Sequence, residues 1–568
     1  MLTGSFIRTL PLLVFAVASA AAATAIRADD GDAATPNNMP LAIATVRSVD
    51  GLVADIEAVT EQIGRPGFGQ IVRGFLVGVN DLKGIDRSRP AGMMLFAPTD
   101  PDGEPRPMLF IPVTSIEEVQ QTLAGLGVAR LTATDSPDSH TLTIDRKDLS
   151  VRVHDGYAYI AEDQRLLAPS LPEAGTIARR VLGTHDAAIA LFQAGLSREL
   201  LDKANRDLQR DLDRELKRQS SENDAEYRLR TALVSAVFGA LRRLINDFEQ
   251  VSLGLTYSAG EGRVEVEAVL RGAAQTELAD WLSRLQPAPS RFVAIADRPM
   301  PLTIIKSSPV PQVIHDLFAD VIRLARQAIG RELKEDLAPG VDPPVARLLD
   351  AVAATNDQQV ADGFIQLVNV PTGKMVILGG IRVAEDDRLG SAIAELVPHL
   401  AESPDVQSVD TIFATLGGVT FHRIRGTRVR KQEERVYGPD PALYVGAGDD
   451  AFWFAVGGHG TLDSLSEALT LPGHRTAQPQ ALVQWTAHLS RWIPLMESQS
   501  GEKARRIGEI AAGTFDGRDD DRFTLQAGPV ERGMRIRAEW DGGYLRLAGN
   551  LLNARDEAQR AKADDPQQ

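Results

Sequence analysis

Two stretches of the chain decide the fold: Leu41-Ala-Ile-Ala-Thr-Val-Arg-Ser-Val49 and Leu302-Thr-Ile-Ile-Lys-Ser-Ser-Pro-Val310. Aligned without a gap, they match Ile43 with Ile304 and Val49 with Val310. Each stretch predicts a short strand, then a turn, then an amphipathic helix. Similarity between distant stretches of one chain is typical of an internal duplication.

The helices that follow share their apolar spacing and one carboxylate. Apolar residues recur every three to four positions in both: Leu52, Ile56, Val59 and Ile63 in the first, Val313, Leu317, Val321 and Leu324 in the second. Asp55 and Asp316 occupy the matched position early in each helix. A carboxylate there stabilises the positive end of the helix dipole, which explains both residues without catalysis.

The order of the remaining elements also repeats. In each half we predict a hairpin, a helix, a group of strands, another helix and a closing hairpin. The closing hairpins turn at Gly260-Glu-Gly262 and at Glu531-Arg-Gly533. In the first of them, Val264 to Leu270 alternates apolar residues with Glu265 and Glu267, which predicts a strand with one buried face.

These patterns predict an α+β fold of two tandem, similar halves. Each half is expected to be a mainly antiparallel sheet with helices packed on one face. The predicted domains are residues 40–290 and 291–554, with a boundary at Pro287-Ala-Pro-Ser290, where the apolar pattern is interrupted. The alternative is a pair of unrelated α+β domains that happen to alternate alike.

Residues 196–249 are predicted to form a helical hairpin inserted in the first half. Leucines recur at helical spacing from Leu201 to Leu216, and a more apolar helix is predicted from Thr231 to Phe248. The polar stretch Gln219 to Glu226 would join the two. The narrow apolar stripe of the first helix favours a surface cover over the sheet. The alternative is an arm that binds a partner.

Length, charge and cysteine content restrict the class of protein. The chain has 568 residues, of which 61 are Lys or Arg and 77 are Asp or Glu, so its net charge is −16. This acidic balance argues against nucleic acid or anionic lipid as a partner of the whole surface. The absence of cysteine excludes disulfides, thiol nucleophiles and Cys-ligated zinc.

The N-terminus predicts export. Residues 1–28 resemble a secretory signal peptide, with cleavage expected after Ala25 or, as the alternative, after Ala28. An uncleaved anchor is disfavoured because the apolar run is shorter than the ~20 residues needed to span a bilayer. We therefore expect a periplasmic or secreted protein with no stable membrane span, a disordered leader at 29–39 and a disordered tail at 555–568.

No motif predicts a reaction, so we assign no catalytic, cofactor-binding or metal-ligating residue. The alternative among the histidines is a metal site formed by His422, His459 and Asp449 or Asp450. The acidic turn Asp516-Gly-Arg-Asp-Asp-Asp521 lacks the order of a calcium loop and is read as solvated. The apolar run Phe452-Trp-Phe454 is read as a core strand that needs no ligand.

One basic cluster stands out in this acidic chain. It is a candidate site for an anion or a partner such as an envelope protein or polymer, because arginine suits carboxylate and phosphate groups. The alternative is an exposed hairpin whose charges pair with neighbouring acids. The cluster consists of Arg423, Arg425, Arg428, Arg430, Lys431 and Arg435.

Part of the chain resembles a family of exported planctomycete proteins of unknown function. The resemblance covers mainly residues 45–165 and rests on Val49-Asp-Gly-Leu-Val-Ala-Asp55, Gly64-Arg-Pro-Gly67, Gly84-Ile-Asp-Arg-Ser-Arg-Pro-Ala-Gly92 and Phe110-Ile-Pro-Val113. It implies export and an α+β repeat fold. It provides no catalytic residues to transfer.

Three functions are consistent with these features. The first is a non-catalytic exported binding or scaffold protein of the bacterial cell envelope, which the two similar halves and the absence of a catalytic motif favour. The second is an envelope hydrolase with an unrecognised acid pair or metal site. The third is a carrier that holds an apolar ligand between a sheet and its helices.

Overall fold

The computed structural model describes residues 39–98, 103–126, 129–134, 136, 138–144, 146–167, 170–218, 222, 224–295, 298–333, 343–384, 387–448, 450–471, 479–498 and 501–564. The predicted signal peptide, both of its cleavage sites and nearly all of the leader lie outside these residues. Within them, no helix is both long enough and apolar enough to cross a membrane.

The fold is α+β, with all twenty strands of the described residues in one antiparallel sheet. Ten strands precede residue 273: β1 (Ala42–Val46), β2 (Ala91–Phe96), β3 (Arg106–Pro112), β4 (Ala129–Ala133), β5 (Ser139–Ile144), β6 (Lys147–His154), β7 (Tyr157–Ala161), β8 (Ala187–Phe192), β9 (Phe248–Ser258) and β10 (Arg263–Gly272). Ten follow residue 301: β11 (Leu302–Pro309), β12 (Val360–Asn369), β13 (Met375–Arg382), β14 (Val406–Leu416), β15 (Val419–Gly426), β16 (Ala442–Ala447), β17 (Ala451–Gly457), β18 (Val483–His488), β19 (Arg522–Val530) and β20 (Gly533–Trp540).

Fifteen α-helices connect these strands in the part of the chain that the structure describes. Those before residue 285 are α1 (Val49–Gln62), α2 (Pro66–Gly78), α3 (Ile116–Leu126), α4 (Ala174–Leu182), α5 (Arg198–Glu215), α6 (Asp224–Asp247) and α7 (Glu277–Arg284). Those after residue 301 are α8 (Gln312–Leu333), α9 (Pro344–Asp357), α10 (Asp387–Leu396), α11 (Lys431–Tyr437), α12 (Thr461–Thr470), α13 (Ile493–Ser498), α14 (Glu502–Phe515) and α15 (Gly542–Asp564).

The strand order is the same on both sides of one central pair, β10 and β20. Outward from β10 the strands are β9, β8, β1, β2, β3, β7, β6, β5 and β4. Outward from β20 they are β19, β18, β11, β12, β13, β17, β16, β15 and β14. Strands β10 and β20 pair with each other from Val264 opposite Trp540 to Arg271 opposite Gly533, so the sheet is continuous.

The central pair differs from the predicted strand with one buried face. Val264 and Val266 are only half-buried, and so are Glu265 and Glu267 on the other face. Glu265 forms an ion pair with Arg537, and Glu267 Oε2 lies 3.8 Å from Arg535 Nη1. Charges of opposite sign therefore line this face of the junction, and alternation along one strand alone could not reveal the partner strand.

Helices cover both faces of the sheet, so the prediction that they pack on one face is wrong. On β17, Trp453 and Ala455 belong to a core that includes Leu465 of α12. Phe452, on the opposite face of β17, packs with Leu389 of α10. Because both faces of these strands carry apolar residues, both bind helices.

Two further predictions are corrected. The gap-free alignment matches Ile43 with Ile304, but the residue that joins the corresponding packed core is Ile305, so the alignment is one residue out of register in β11. The tail predicted to be disordered from residue 555 is helical to Asp564. It contains helix-forming Ala and Arg residues, and its Asp556 Oδ2 lies 2.5 Å from Arg65 Nη2.

Candidate functional site: an apolar cavity between sheet and helices

A cavity of about 1430 Å³ lies against the strands that follow residue 301 and is the candidate ligand site. Its floor is one face of the sheet, which we call the cavity face. The residues of this face include Ile381 of β13, Val445 of β16 and Phe452 of β17. The opposite face of the same strands, which carries Trp453 and Phe364, is called the packed face.

The cavity crosses nine adjacent strands. Wall residues are found on every strand from β20 through β19, β18, β11, β12, β13, β17 and β16 to β15. Eight inter-strand spacings of 4.7–4.9 Å give the cavity a length of roughly 38 Å. The cavity is therefore long in the direction perpendicular to the strands.

Four helices form the roof, each through apolar side chains at helical spacing. The roof consists of Trp281 on α7, with Leu285 just beyond its end, Ile314 and Phe318 on α8, Leu348, Ala351, Val352 and Thr355 on α9, and Leu389, Ile393 and Leu396 on α10. Phe318 is 52% exposed and Val352 is 43% exposed. A roof and floor that meet the open space with apolar surface can bind an apolar ligand by removing that surface from water.

A histidine connects two of the roof helices, α8 and α9. His315 of α8 has Nδ1 3.0 Å from Asp316 Oδ1 and Nε2 3.5 Å from Asp357 Oδ1, at the end of α9. The hydrogen bond with Asp316, followed by that with Asp357, raises the pKa of His315. The side chain of Asn356 also donates a hydrogen bond to the His315 carbonyl, at 3.0 Å. The protonated imidazole therefore stabilises the α8–α9 contact.

Four charged or titratable residues contribute to the walls: Lys306, Asp362, Arg382 and His399. Asp362 is 2% exposed, and its Oδ2 accepts the backbone N–H of Arg291 at 3.2 Å. Burial raises the pKa of Asp362, while the hydrogen bonds to Ser290 and Arg291 and the charges of Arg382 and Arg291 act against the rise. Asp362 lies opposite Ser307 and Arg382 lies opposite Ala451, so the cavity borders these residues but their side chains belong to a charge cluster on the packed face.

The basic cluster predicted at residues 423–435 is divided by the fold. Arg423 lies over the ring of Phe413, 3.7 Å from its centroid, and its Nη2 is 2.6 Å from Asp410 Oδ2. Arg425 Nε is 3.4 Å from Asp440 Oδ2. The other members follow β15: Arg428 and Arg430 in the connection, and Lys431 and Arg435 in α11. A role for this cluster in binding an anion or partner stays a prediction.

The alternative metal site of His422, His459 and Asp449 or Asp450 is not assembled by the residues that the structure describes. His422 is buried on β15, and this burial lowers its pKa. Throughout the described ranges, no group of three or more His, Cys, Asp or Glu residues could hold a metal ion. Asp449 lies outside those ranges.

The turn at residues 516–521 was predicted to be solvated, but the structure buries part of it. Asp521 is 2% exposed, with Oδ1 3.1 Å from His488 Nδ1 and Oδ2 accepting the Ser490 N–H at 2.7 Å. Its neighbour Asp520 forms an ion pair with Arg546 of α15 at 2.5 Å. The two carboxylates therefore attach this turn to neighbouring elements.

Comparison with protein-family models, with curated proteins and with solved structures gives no match.

The sequence alone does not reveal the cavity, because its wall residues are spread over nine strands, four α-helices and the segments between them. The sequence pattern predicts that Phe452 lies in a core strand that needs no ligand, yet this residue lines the cavity. One signal was available. The strand Ala451–Gly457 is apolar on both faces, which predicts partners on both sides of the sheet. It does not predict that one of those partners is packed less closely than the other.

Proposed function

We propose that this protein is an exported binding protein that holds an apolar ligand between its sheet and helices α8, α9 and α10. The observation that carries the proposal is the long cavity with almost entirely apolar walls. Ligand pockets usually have volumes of about 300–1,000 Å³ and are lined mainly by apolar side chains. At about 1430 Å³, this cavity suits a ligand with long hydrocarbon chains.

The dimensions favour a chain-like ligand over a compact one. The cavity extends roughly 38 Å across the strands. This length exceeds the thickness of a bilayer's hydrocarbon core, which is about 30 Å and consists of two opposed acyl layers. An extended acyl chain could therefore lie across several strands with its whole length against apolar walls. Among the three functions consistent with the sequence, this geometry supports the carrier best.

Export is part of the proposal. It is supported by the signal-like residues 1–28 and by the resemblance of residues 45–165 to exported planctomycete proteins of unknown function. A periplasmic or secreted location would place the protein where lipids leave or cross the envelope. An apolar cavity in such a protein suits transport or storage of a sparingly soluble molecule.

We also infer that the chain consists of two tandem, similar halves. The identical strand order outward from β10 and β20 supports this inference. The helices α5 and α6 lie between β8 and β9, where the second half has the shorter α13 and α14 between β18 and β19. This difference in length supports an insertion in the first half.

Filling the cavity tests the proposed function. The Val352→Trp substitution places a large ring at an exposed position of the roof, so it should displace ligand with little effect on folding. We expect it to weaken binding of a neutral fluorescent acyl ester at least about tenfold, or 1.4 kcal/mol. The matched control is Val321→Trp on α8, which is exposed but does not line the cavity.

Equilibrium fluorescence titration of the delipidated protein distinguishes the outcomes. Saturable binding to the wild type and to Val321→Trp, but weakened binding to Val352→Trp, would support the proposal. No saturable binding to the wild type, or equal binding to all three proteins, would overturn it.

A further inference from the structure

The cavity floor carries one lysine, Lys306, at the centre of β11. It lies opposite Val483 on β18 and opposite Gly363 on β12, so it shares the cavity face with Val483. Its side chain is exposed. Gly363 has no side chain, so β12 places none directly opposite Lys306.

Lys306 differs from the other charged groups of the wall in having no partner. The structure shows no hydrogen bond or ion pair from its ammonium group to any residue that it describes. Arg382 interacts with Asp362, and His399 Nδ1 lies 3.9 Å from Glu402 Oε1. An unpaired cation on an otherwise apolar wall is suited to an anionic ligand group.

The position of Lys306 divides the cavity into two arms. On one side lie β18, β19 and β20, with α7 above them. On the other lie β12, β13, β17, β16 and β15, beneath α9 and α10. A charged group at Lys306 would therefore have apolar surface on both sides of it.

We propose that the ligand is an acidic amphiphile, with a carboxylate or phosphate headgroup that binds the Lys306 ammonium group and hydrocarbon that fills the arms of the cavity. This inference rests on the proposed function and specifies its ligand class. The headgroup supplies the negative charge that the floor lacks near Lys306. The hydrocarbon accounts for the apolar walls.

Paired probes test the headgroup separately from the chain. The delipidated protein is titrated with a fluorescent long-chain fatty acid, with its methyl ester and with an alkyl phosphate of the same chain length. We expect the acid to bind about tenfold more tightly than the ester, an effect expected of one charge-assisted contact. The alkyl phosphate shows whether phosphate is accepted as well as carboxylate.

Three variants assign the preference to Lys306. Lys306→Met should reduce acid binding to the level of the ester, whereas Lys306→Arg should retain most of the preference. The control is Lys503→Met, which removes an exposed lysine of α14 that does not line the cavity. It should behave as the wild type.

The outcomes separate this inference from the proposed function. If the wild type binds acid and ester equally, or if Lys306→Met keeps the preference for both acidic probes, the headgroup assignment is wrong while the apolar site stands. If the wild type binds neither acid nor ester, the proposed function fails. The first comparison needs no variant, so a substitution that impairs folding does not prevent the test.

Discussion

The two faces of the C-terminal sheet have similar composition but different packing. On the packed face, Trp453 is 1% exposed and meets Phe364 and Phe292 edge-on, with ring centroids 5.6 and 5.7 Å away. On the cavity face, Phe452, which directly precedes Trp453 on β17, is half-buried and lines the open space. The comparison shows that apolar alternation identifies the residues of a face but not whether its cover is complete.

The largest expected difference between the faces concerns removal of an aromatic ring. Trp453→Ala should lower the free energy of unfolding by about 3–5 kcal/mol, because it leaves a cavity among closely packed rings. Phe452→Ala should cost about 1–2 kcal/mol, below the usual range for a buried Phe, because its ring already borders open space. Urea unfolding of both variants measures the difference. Equal losses would mean that the two faces are packed alike.

Adding a methyl group is the opposite perturbation and should have a smaller effect. A Cβ at Gly380, on the packed face, would lie 2.7 Å from Phe364 Cε1 and 3.0 Å from Phe292 Cε1. We expect Gly380→Ala to cost about 1–3 kcal/mol through overpacking.

Gly390 of α10 provides the matched position on the cavity side. The nearest atom to a Cβ there is the carbonyl oxygen of Ala447, at 3.8 Å. Gly390→Ala should therefore stabilise the protein by up to about 1 kcal/mol, the difference in helix propensity. The same urea titrations provide the check, and a loss of stability at Gly390 would argue against free space on this side.

The smallest expected effect is a pH dependence of the cavity roof. The pKa of His315 is raised by Asp316 and Asp357, so its contribution to stability is fully present below the unfolded pKa of about 6.5. The contribution is lost as the pH rises through the higher folded pKa. Wild type should therefore lose stability over this interval relative to His315→Gln.

The free energy of unfolding, measured at pH 6 and at pH 9, tests this effect. The control is Gln312→Ala, which removes a neighbouring polar side chain. Gln312 donates to Asp316 Oδ1 at 2.7 Å but does not titrate in this range. Parallel pH profiles for wild type and His315→Gln would show that the imidazole does not support the contact between α8 and α9.

The sequence was informative where a local pattern determines a local structure. The hairpins at Gly260 to Gly262 and Glu531 to Gly533 and the helix from Ile116 to Leu126 were predicted correctly, because turn residues and helical spacing are local signals. The α+β class followed from their order. The one-residue error at Ile304 arose because a gap-free alignment carries no information about which face is buried.

Long-range features could not be predicted in this way. The pairing of Val264 with Trp540 joins residues far apart in the chain, and nothing in either strand specifies the other. The cavity depends on how far α8, α9 and α10 lie from the sheet, a distance that no single residue encodes. Lys306 was not identified because a lysine in a strand is commonly an exposed surface residue.

Mapping where a bound ligand lies tests the central claim most directly. A photoactivatable neutral acyl ester is bound to the delipidated protein, crosslinked by light and located by peptide mass spectrometry. We predict crosslinks to the wall residues within 306–318, 348–356, 381–383 and 389–400, and their loss in Val352→Trp. Crosslinks concentrated instead on the exposed Phe68 and Ile71 of α2 would contradict the assignment of the cavity as the ligand site.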